Sequence, residues 1–206
     1  MTAMVQQLVQ AQTPNSTCIL TQEEVEECLD IPSVIDRVEA AFEEYGHGAA
    51  TMPPKSYLDL DVNGDFRAMP AAVTDAAGIK WVNVHPDNPE THDLPTVMGT
   101  VILSDPETGY PLAIMDGTTL TQFRTGAAAA VATKHLAPRD ADSLGLLGAG
   151  TQAHTQLAAI HEVIDLDRVV ISDVDPDAVA RFIENETHRG RPGSPLRPVR
   201  GARPHG

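Results

Sequence analysis

The six residues Gly148-Ala149-Gly150-Thr151-Gln152-Ala153 constrain the fold of this chain more than any other feature. They lie between a short apolar run, Leu144 to Leu147, and a helical stretch from about Thr151 to Val163; a second apolar run, Val169 to Ser172, ends at Asp173. Strand, turn, helix and strand in that order make a β-α-β unit, and such a unit builds a parallel sheet. The small residues of this G-x-G-x-x-A pattern have separate tasks. Gly148 permits a tight turn, Gly150 lets a pyrophosphate approach the backbone, and Ala153 allows the helix to pack close to the strand, while Thr151 and Gln152 open a helix whose N-terminal N–H groups favour an anion. Asp173 stands 25 residues after Gly148, where an acid accepts hydrogen bonds from a ribose 2′-hydroxyl. The segment therefore reads as a dinucleotide site made by Gly148, Gly150, Thr151, Gln152, Ala153 and Asp173. NAD is favoured over NADP, because a carboxylate repels a 2′-phosphate. Asp175 is the lesser candidate, beyond the strand end, and Ser172 and Arg168 are the neighbours that could soften the repulsion.

The residues before this unit have a different texture. Thr21 with Glu24 three positions on forms a capping box and starts a helix. Ile31-Pro32-Ser33 reads as an interruption, after which Val34, Ile35, Val38, Ala41, Phe42 and Tyr45 mark a second amphipathic helix closed by Gly46 and Gly48. Strand-like runs follow at Ser56 to Val62, Phe66 to Val73, Ile79 to Val84, Thr96 to Leu103 and Pro111 to Asp116, separated by Gly, Asp, Asn and Pro turns. Thr118 to Leu136, with alanines at 127–130, reads as a long helix packed through small side chains.

Charge narrows the classes of partner. The 206 residues carry a net charge of −15, but five of the 14 basic residues follow Glu186 and every acid precedes Thr187, so residues 1–186 alone reach −20. A body this acidic, with only Lys55, Lys80 and Lys134 as lysines, lacks the basic face that phosphate contacts need, which disfavours nucleic acid. The same surface suits a salt-rich cytoplasm. No apolar run approaches the roughly 20 residues that span a bilayer, and the polar start lacks the features of a signal peptide, so a cytoplasmic protein without a membrane partner is expected. Cys18 and Cys28 have neither zinc-site spacing nor enough partners for a disulfide framework.

Residues 187–206 break with this pattern. They hold five arginines, four prolines and four glycines, with no acid and no periodic apolar residue, so a disordered basic tail that builds no core is expected. The change falls inside a predicted helix, Pro176 to Glu186. That favours out-of-frame translation of a GC-rich gene over a basic arm for nucleic acid.

In a chain with few cations, three sit among apolar or small neighbours: Arg67 after Gly64-Asp65-Phe66, Lys80 within Gly78-Ile79-Lys80-Trp81-Val82, and Arg124 before Thr125-Gly126. Desolvating a lone charge costs several kcal/mol, about as much as a partner must return. Structural salt bridges would explain the arginines, and snorkelling at a strand edge would explain Lys80. As a group they suggest an anion pocket, in which arginine clamps a carboxylate and lysine acts as donor or acid/base. The cluster His85, Asp87, His92 and Asp93 is Pro- and Asn-rich and reads as a turn before it reads as a metal site, so no metal is expected.

The segments Met52-Pro-Pro-Lys-Ser-Tyr57, Gly64-Asp-Phe-Arg-Ala-Met-Pro70, Gly78-Ile-Lys-Trp-Val-Asn-Val-His-Pro86, Leu94-Pro-Thr-Val-Met98, Asp116-Gly-Thr-Thr-Leu120 and Arg124-Thr-Gly-Ala-Ala128 together resemble the ordered motifs of the ornithine cyclodeaminase and mu-crystallin family over about residues 20–186. That family includes archaeal-type alanine dehydrogenases. The resemblance implies an α/β fold: an N-terminal α+β substrate and dimerisation domain over residues 1–120, then a connecting helix and an incomplete Rossmann dinucleotide-binding domain over 121–186. It implies a homodimer formed through the N-terminal sheet. It also implies that Lys80 is the catalytic lysine, that Arg67, Lys80 and Arg124 bind the carboxylate of a small amino acid, and that Arg124 and Thr125 touch the cofactor. The family exceeds 300 residues, and its catalytic aspartate belongs to the half this chain lacks.

The chemistry implied is oxidation of a Cα–N bond by NAD to an imine. In a cyclodeaminase a side-chain amine then attacks the imine, ammonia leaves and the hydride returns, so that ornithine becomes proline. In an alanine dehydrogenase water attacks and pyruvate is released. Family breadth puts the cyclodeaminase first and Arg67 tilts toward the dehydrogenase. A mu-crystallin-like binder or an inactive fragment is the alternative of another class.

Overall fold

The computed structural model describes residues 16–188 and 196–198. The chain divides into two compact units, Met1–Thr121 and Gln122–Gly206.

The first unit is a six-stranded sheet with helices. Strand β1 (Cys18–Leu20) leads into helix α1 (Gln22–Cys28), capped by Thr21 and Glu24 in the reciprocal arrangement expected from the sequence. Helix α2 (Ile31–Gly46) differs from expectation at its start. Asp30 caps it through the Ser33 N–H, and Ile31 and Pro32 form its first turn, where a missing proline N–H costs no helical bond. The strands β2 (Ser56–Asp59), β3 (Asp65–Val73), β4 (Ala76–Val84), β5 (Val97–Ser104) and β6 (Pro111–Asp116) follow, with a one-turn helix α3 (Asn88–Thr91) before β5. They form the order β1-β6-β5-β4-β3-β2, antiparallel throughout except where β1 lies parallel to β6. The three-residue β1 had no periodic signal in the sequence; Thr17 Oγ1 fixes its start by donating to the Pro111 carbonyl at 2.9 Å.

Register gives the sheet two different faces. One carries buried Val82 and Ala113, with Lys80 opposite Met69 on β3 and Val101 on β5. On the other, Ile19, Ile114, Ile102 and Ile79 stand side by side across four strands, and Trp81 stacks on Phe66 with ring centroids 5.4 Å apart. Ile19, Ile102 and Trp81 are exposed there by 73%, 39% and 42%, an apolar surface that no described residue of this unit covers.

Helix α4 (Gly117–Leu136) runs across the division between the units. The second unit continues with β7 (Ser143–Leu147), α5 (Thr151–His161), β8 (Arg168–Ser172), α6 (Pro176–His188) and β9 (Leu196–Pro198), and its strands lie parallel in the order β7-β8-β9. Leu146, Leu157, Ile160, Val169, Ile171 and Phe182 form its core. Parallel strands with helical crossovers are the Rossmann-type arrangement the glycine pattern implied.

The tail departs from expectation in two places. Helix α6 continues through Thr187 and His188, and Leu196–Pro198 pairs with β8 although the segment was expected to build no structure. Strand pairing uses backbone groups and needs no apolar period, and proline is tolerated at a sheet edge. The rest of the expected tail, residues 189–195 and 199–206, lies outside the described residues.

Candidate functional site

In the second unit the glycine turn is built as a cradle. Gly148 has φ +101°, a left-handed conformation that a side chain would strain, and open space surrounds the positions where Cβ atoms would stand on Gly148 and Gly150. Gly150 is the N-cap of α5 and offers no side chain to the first N–H groups of that helix. Gly145, Leu146, Leu147, Gly148, Gly150 and Gln152 line most of a cavity of about 200 Å³ there. The Gln152 Oε1 atom is buried beside it without a hydrogen-bond partner. An open backbone turn, an uncapped helix start and an unsatisfied amide oxygen fit the phosphates and polar edges of a dinucleotide.

Asp173 does two things in this turn. Its carboxylate accepts from the Ala149 N–H at 2.6 Å and the Asp175 N–H at 3.0 Å, and these backbone bonds hold its pKa below the usual carboxylate range. It stays ionised and retains lone pairs for a ribose hydroxyl. Asp175 is occupied otherwise, since its carboxylate caps α6 through the Asp177 N–H and meets Arg181 at 3.2 Å. Arg168 begins β8 and Ser172 ends it, so roughly 13 Å of strand separates Arg168 from the Asp173 end. The expectation that Arg168 could soften repulsion at Asp173 is not met.

In the first unit Lys80 rises from the centre of the sheet. Its Nζ donates to Thr121 Oγ1 at 3.2 Å, and that hydroxyl in turn donates to the Gly117 carbonyl at 2.6 Å. Arg67 forms a bidentate pair with Asp65, Nε to Oδ1 at 2.6 Å and Nη2 to Oδ2 at 2.8 Å, and its guanidinium lies 5.5 Å from the Tyr57 ring centre. The pair raises the arginine pKa and lowers that of the aspartate. The salt-bridge reading of Arg67 therefore describes one edge of its guanidinium; the Nη1 edge is not used by Asp65.

Arg124 lies on α4 at the start of the second unit. Its side chain is exposed, yet the protein around it is dense enough that desolvation lowers its pKa, and among the described residues no carboxylate pairs with it. Thr125 and the buried Gly126 follow, and a Cβ on Gly126 would stand 2.5 Å from the Thr155 carbonyl of α5. His85 hydrogen-bonds Asn83 at 3.2 Å, whereas Asp87 accepts from Asn63 at 3.0 Å.

Three participants were not singled out from the sequence. Asp65 and Tyr57 flank Arg67, one two residues along the same strand and the other at the paired position on β2. Thr121 precedes Arg124 by three residues on one helix face. The i, i+2 spacing of Asp65 was a usable signal; the contact of Thr121 with Lys80 spans 41 residues and had none.

Residues 15–192 match the ornithine cyclodeaminase/mu-crystallin family. The match passes the junction at Glu186 by six residues. The chain is 48% identical over 174 residues to an alanine dehydrogenase of Archaeoglobus fulgidus, covering 84% of this chain and 53% of that protein. Among solved structures it resembles an archaeal alanine dehydrogenase dimer with bound NAD, with a TM-score of 0.82, 47% identity and coverage of 88% of this chain and 56% of that one. It also resembles the Δ1-pyrroline-2-carboxylate reductase of Thermococcus litoralis in complex with NADH and L-proline, with a TM-score of 0.84, 36% identity and coverage of 90% and 58%. The chain thus spans about half the length of the relatives it matches.

Proposed function

The chain belongs to the ornithine cyclodeaminase/mu-crystallin family, and from that premise we propose that it is the substrate-binding and first cofactor-binding portion of an NAD-linked enzyme that oxidises the Cα–N bond of a small amino acid, with alanine the preferred substrate. The observation that carries this reading is the setting of Lys80: an ammonium between Met69 and Val101, bonded to a hydroxyl. The identity with an alanine dehydrogenase supports the dehydrogenase reading. The family description favours ornithine cyclodeaminase as the second reading.

The glycine turn from Gly148 to Ala153, the N-terminus of α5 and Asp173 would hold NAD, with Arg124 and Thr125 as further contacts. When bound, NAD supplies the two-electron oxidant for the Cα–N bond. Arg67, through its Nη1 edge, and Arg124 bind the substrate carboxylate. Lys80, as the neutral amine left once it has given one proton to solvent, takes the proton from the substrate nitrogen as the imine forms, and water attack on the imine carbon then releases ammonia and leaves the keto acid. A free amino acid as substrate suits a cytoplasmic enzyme. Among the described residues no helix is long and apolar enough to cross a membrane.

Two copies pair through the uncovered isoleucine face of the six-stranded sheet, which is apolar and exposed in a single chain. The test of substrate uses a version extended to the length of the relatives. Steady production of reduced nicotinamide from alanine and none from ornithine is expected, and conversion of ornithine to proline without net reduction would give first place to the cyclodeaminase.

A further inference from the structure

Lys80 is placed by an acceptor whose own proton is already committed. The Thr121 hydroxyl donates to the Gly117 carbonyl at 2.6 Å, so what it turns toward the Lys80 Nζ, 3.2 Å away, is lone-pair density. Residues anchored to the sheet hold Thr121 itself. Asp116, the last residue of β6, accepts from the N–H groups of Thr119 at 2.7 Å and Thr118 at 3.3 Å. Burial raises the Asp116 pKa, but these bonds outweigh it and leave the group below its usual value. The Thr118 hydroxyl accepts from the Gly99 N–H of β5 at 3.2 Å. Gly117 lies so close to β5 that an added Cβ would meet the Gly99 carbonyl carbon at 2.9 Å. The first turn of α4 is therefore clamped to two strands, and Thr121 is one turn beyond the clamp.

We propose that Thr121 is a positioning residue for Lys80, a fixed acceptor that selects one direction for the ammonium among the many a four-carbon stem could sample. The proposal rests on the catalytic assignment of Lys80 for its meaning, but the contact is testable without turnover. Thr121 touches no reacting atom in this account and acts only through the lysine.

The chain contains only Lys55, Lys80 and Lys134, so its lysine side chains give few enough signals to follow individually. In protein carrying isotope-labelled lysine, nuclear magnetic resonance of the Cε groups reads how each amine is held; Lys80→Arg identifies the signal. A fixed Lys80 has two inequivalent Cε protons. Thr121→Val, equal in shape and without the acceptor, is expected to collapse them into one averaged signal, while Thr121→Ser restores the inequivalence and the backbone amide spectrum away from α4 stays unchanged. Retained inequivalence in Thr121→Val would overturn the proposal, as would equal collapse in Thr121→Ser. If Thr121→Val does not fold, Thr121→Cys, a weaker acceptor of similar size, carries the same two outcomes. Because no substrate enters the measurement, it can fail while Lys80 remains catalytic. Conversely, a full-length Lys80→Ala enzyme with unchanged turnover would end the catalytic reading and leave the contact intact.

Discussion

Asp173 accepts the Ala149 N–H of the glycine turn and the Asp175 N–H of its own loop, so its charge ties the two segments together, and in the proposed function it also selects the cofactor. A dianionic 2′-phosphate at close range to a carboxylate costs on the order of a few kcal/mol, roughly a hundredfold in affinity. Titration calorimetry is expected to give NAD that advantage over NADP, and Asp173→Ser to shrink it; equal affinities in the parent would separate Asp173 from the ribose. The pH dependence has a definite sign. The pKa of Asp173 is lower folded than its ordinary value of 3.8, so its contribution to stability is present above that value and is lost as pH falls through the depressed folded one. In Asp173→Asn, acid unfolding monitored by circular dichroism should lose part of its pH dependence below that value; an unchanged profile would contradict the bonds to Ala149 and Asp175. Most of this turn was legible because its residues are neighbours in sequence. Thr121 was not, since a strand lysine meeting a helix hydroxyl leaves no local pattern.

Local chemistry also decided which elements could be read. The capping box at Thr21 and Glu24 was plain, and Thr21→Ala is expected to cost about 1 kcal/mol, measured as a lower midpoint in thermal melting. The start of α2 was misjudged for a physical reason: a proline early in a helix looks like a break, but at the first turn it is a good residue and Asp30 supplies the cap. β1 escaped notice because three residues carry too little periodicity, and β9 because its pairing is a backbone matter. Close packing makes the sharper prediction. With the Thr155 carbonyl 2.5 Å from any Cβ at position 126, Gly126→Ala must push α4 and α5 apart and should destabilise by about 1–3 kcal/mol in chemical denaturation. A neutral result would show that the helices do not approach this closely.

For the molecule as a whole, the body's charge of −20 and the uncovered face of the sheet act in opposite directions on association. Charge repels, while apolar burial attracts and is not screened. Raising salt is therefore expected both to stabilise the fold against heat and to tighten a dimer, and greater stability at millimolar salt would refute the role given to the acidic surface. Ile102→Glu, in the centre of the isoleucine row, should leave a monomer in analytical ultracentrifugation with the fold retained. An undisturbed dimer would move the interface elsewhere. The change from short strands to a β-α-β unit was readable in the pattern of apolar residues, whereas the expected division into domains came from the family resemblance alone. A structural salt bridge was one reading of Arg67, but its partner Asp65 was not named, and the pair makes one edge of that arginine structural. The most direct test of the central claim is turnover of Lys80→Ala in a chain extended to the length of its relatives, measured with NAD and alanine beside the affinity for NAD. Turnover is expected to disappear while NAD affinity stays within a few fold, and turnover equal to that of the parent would contradict a catalytic Lys80.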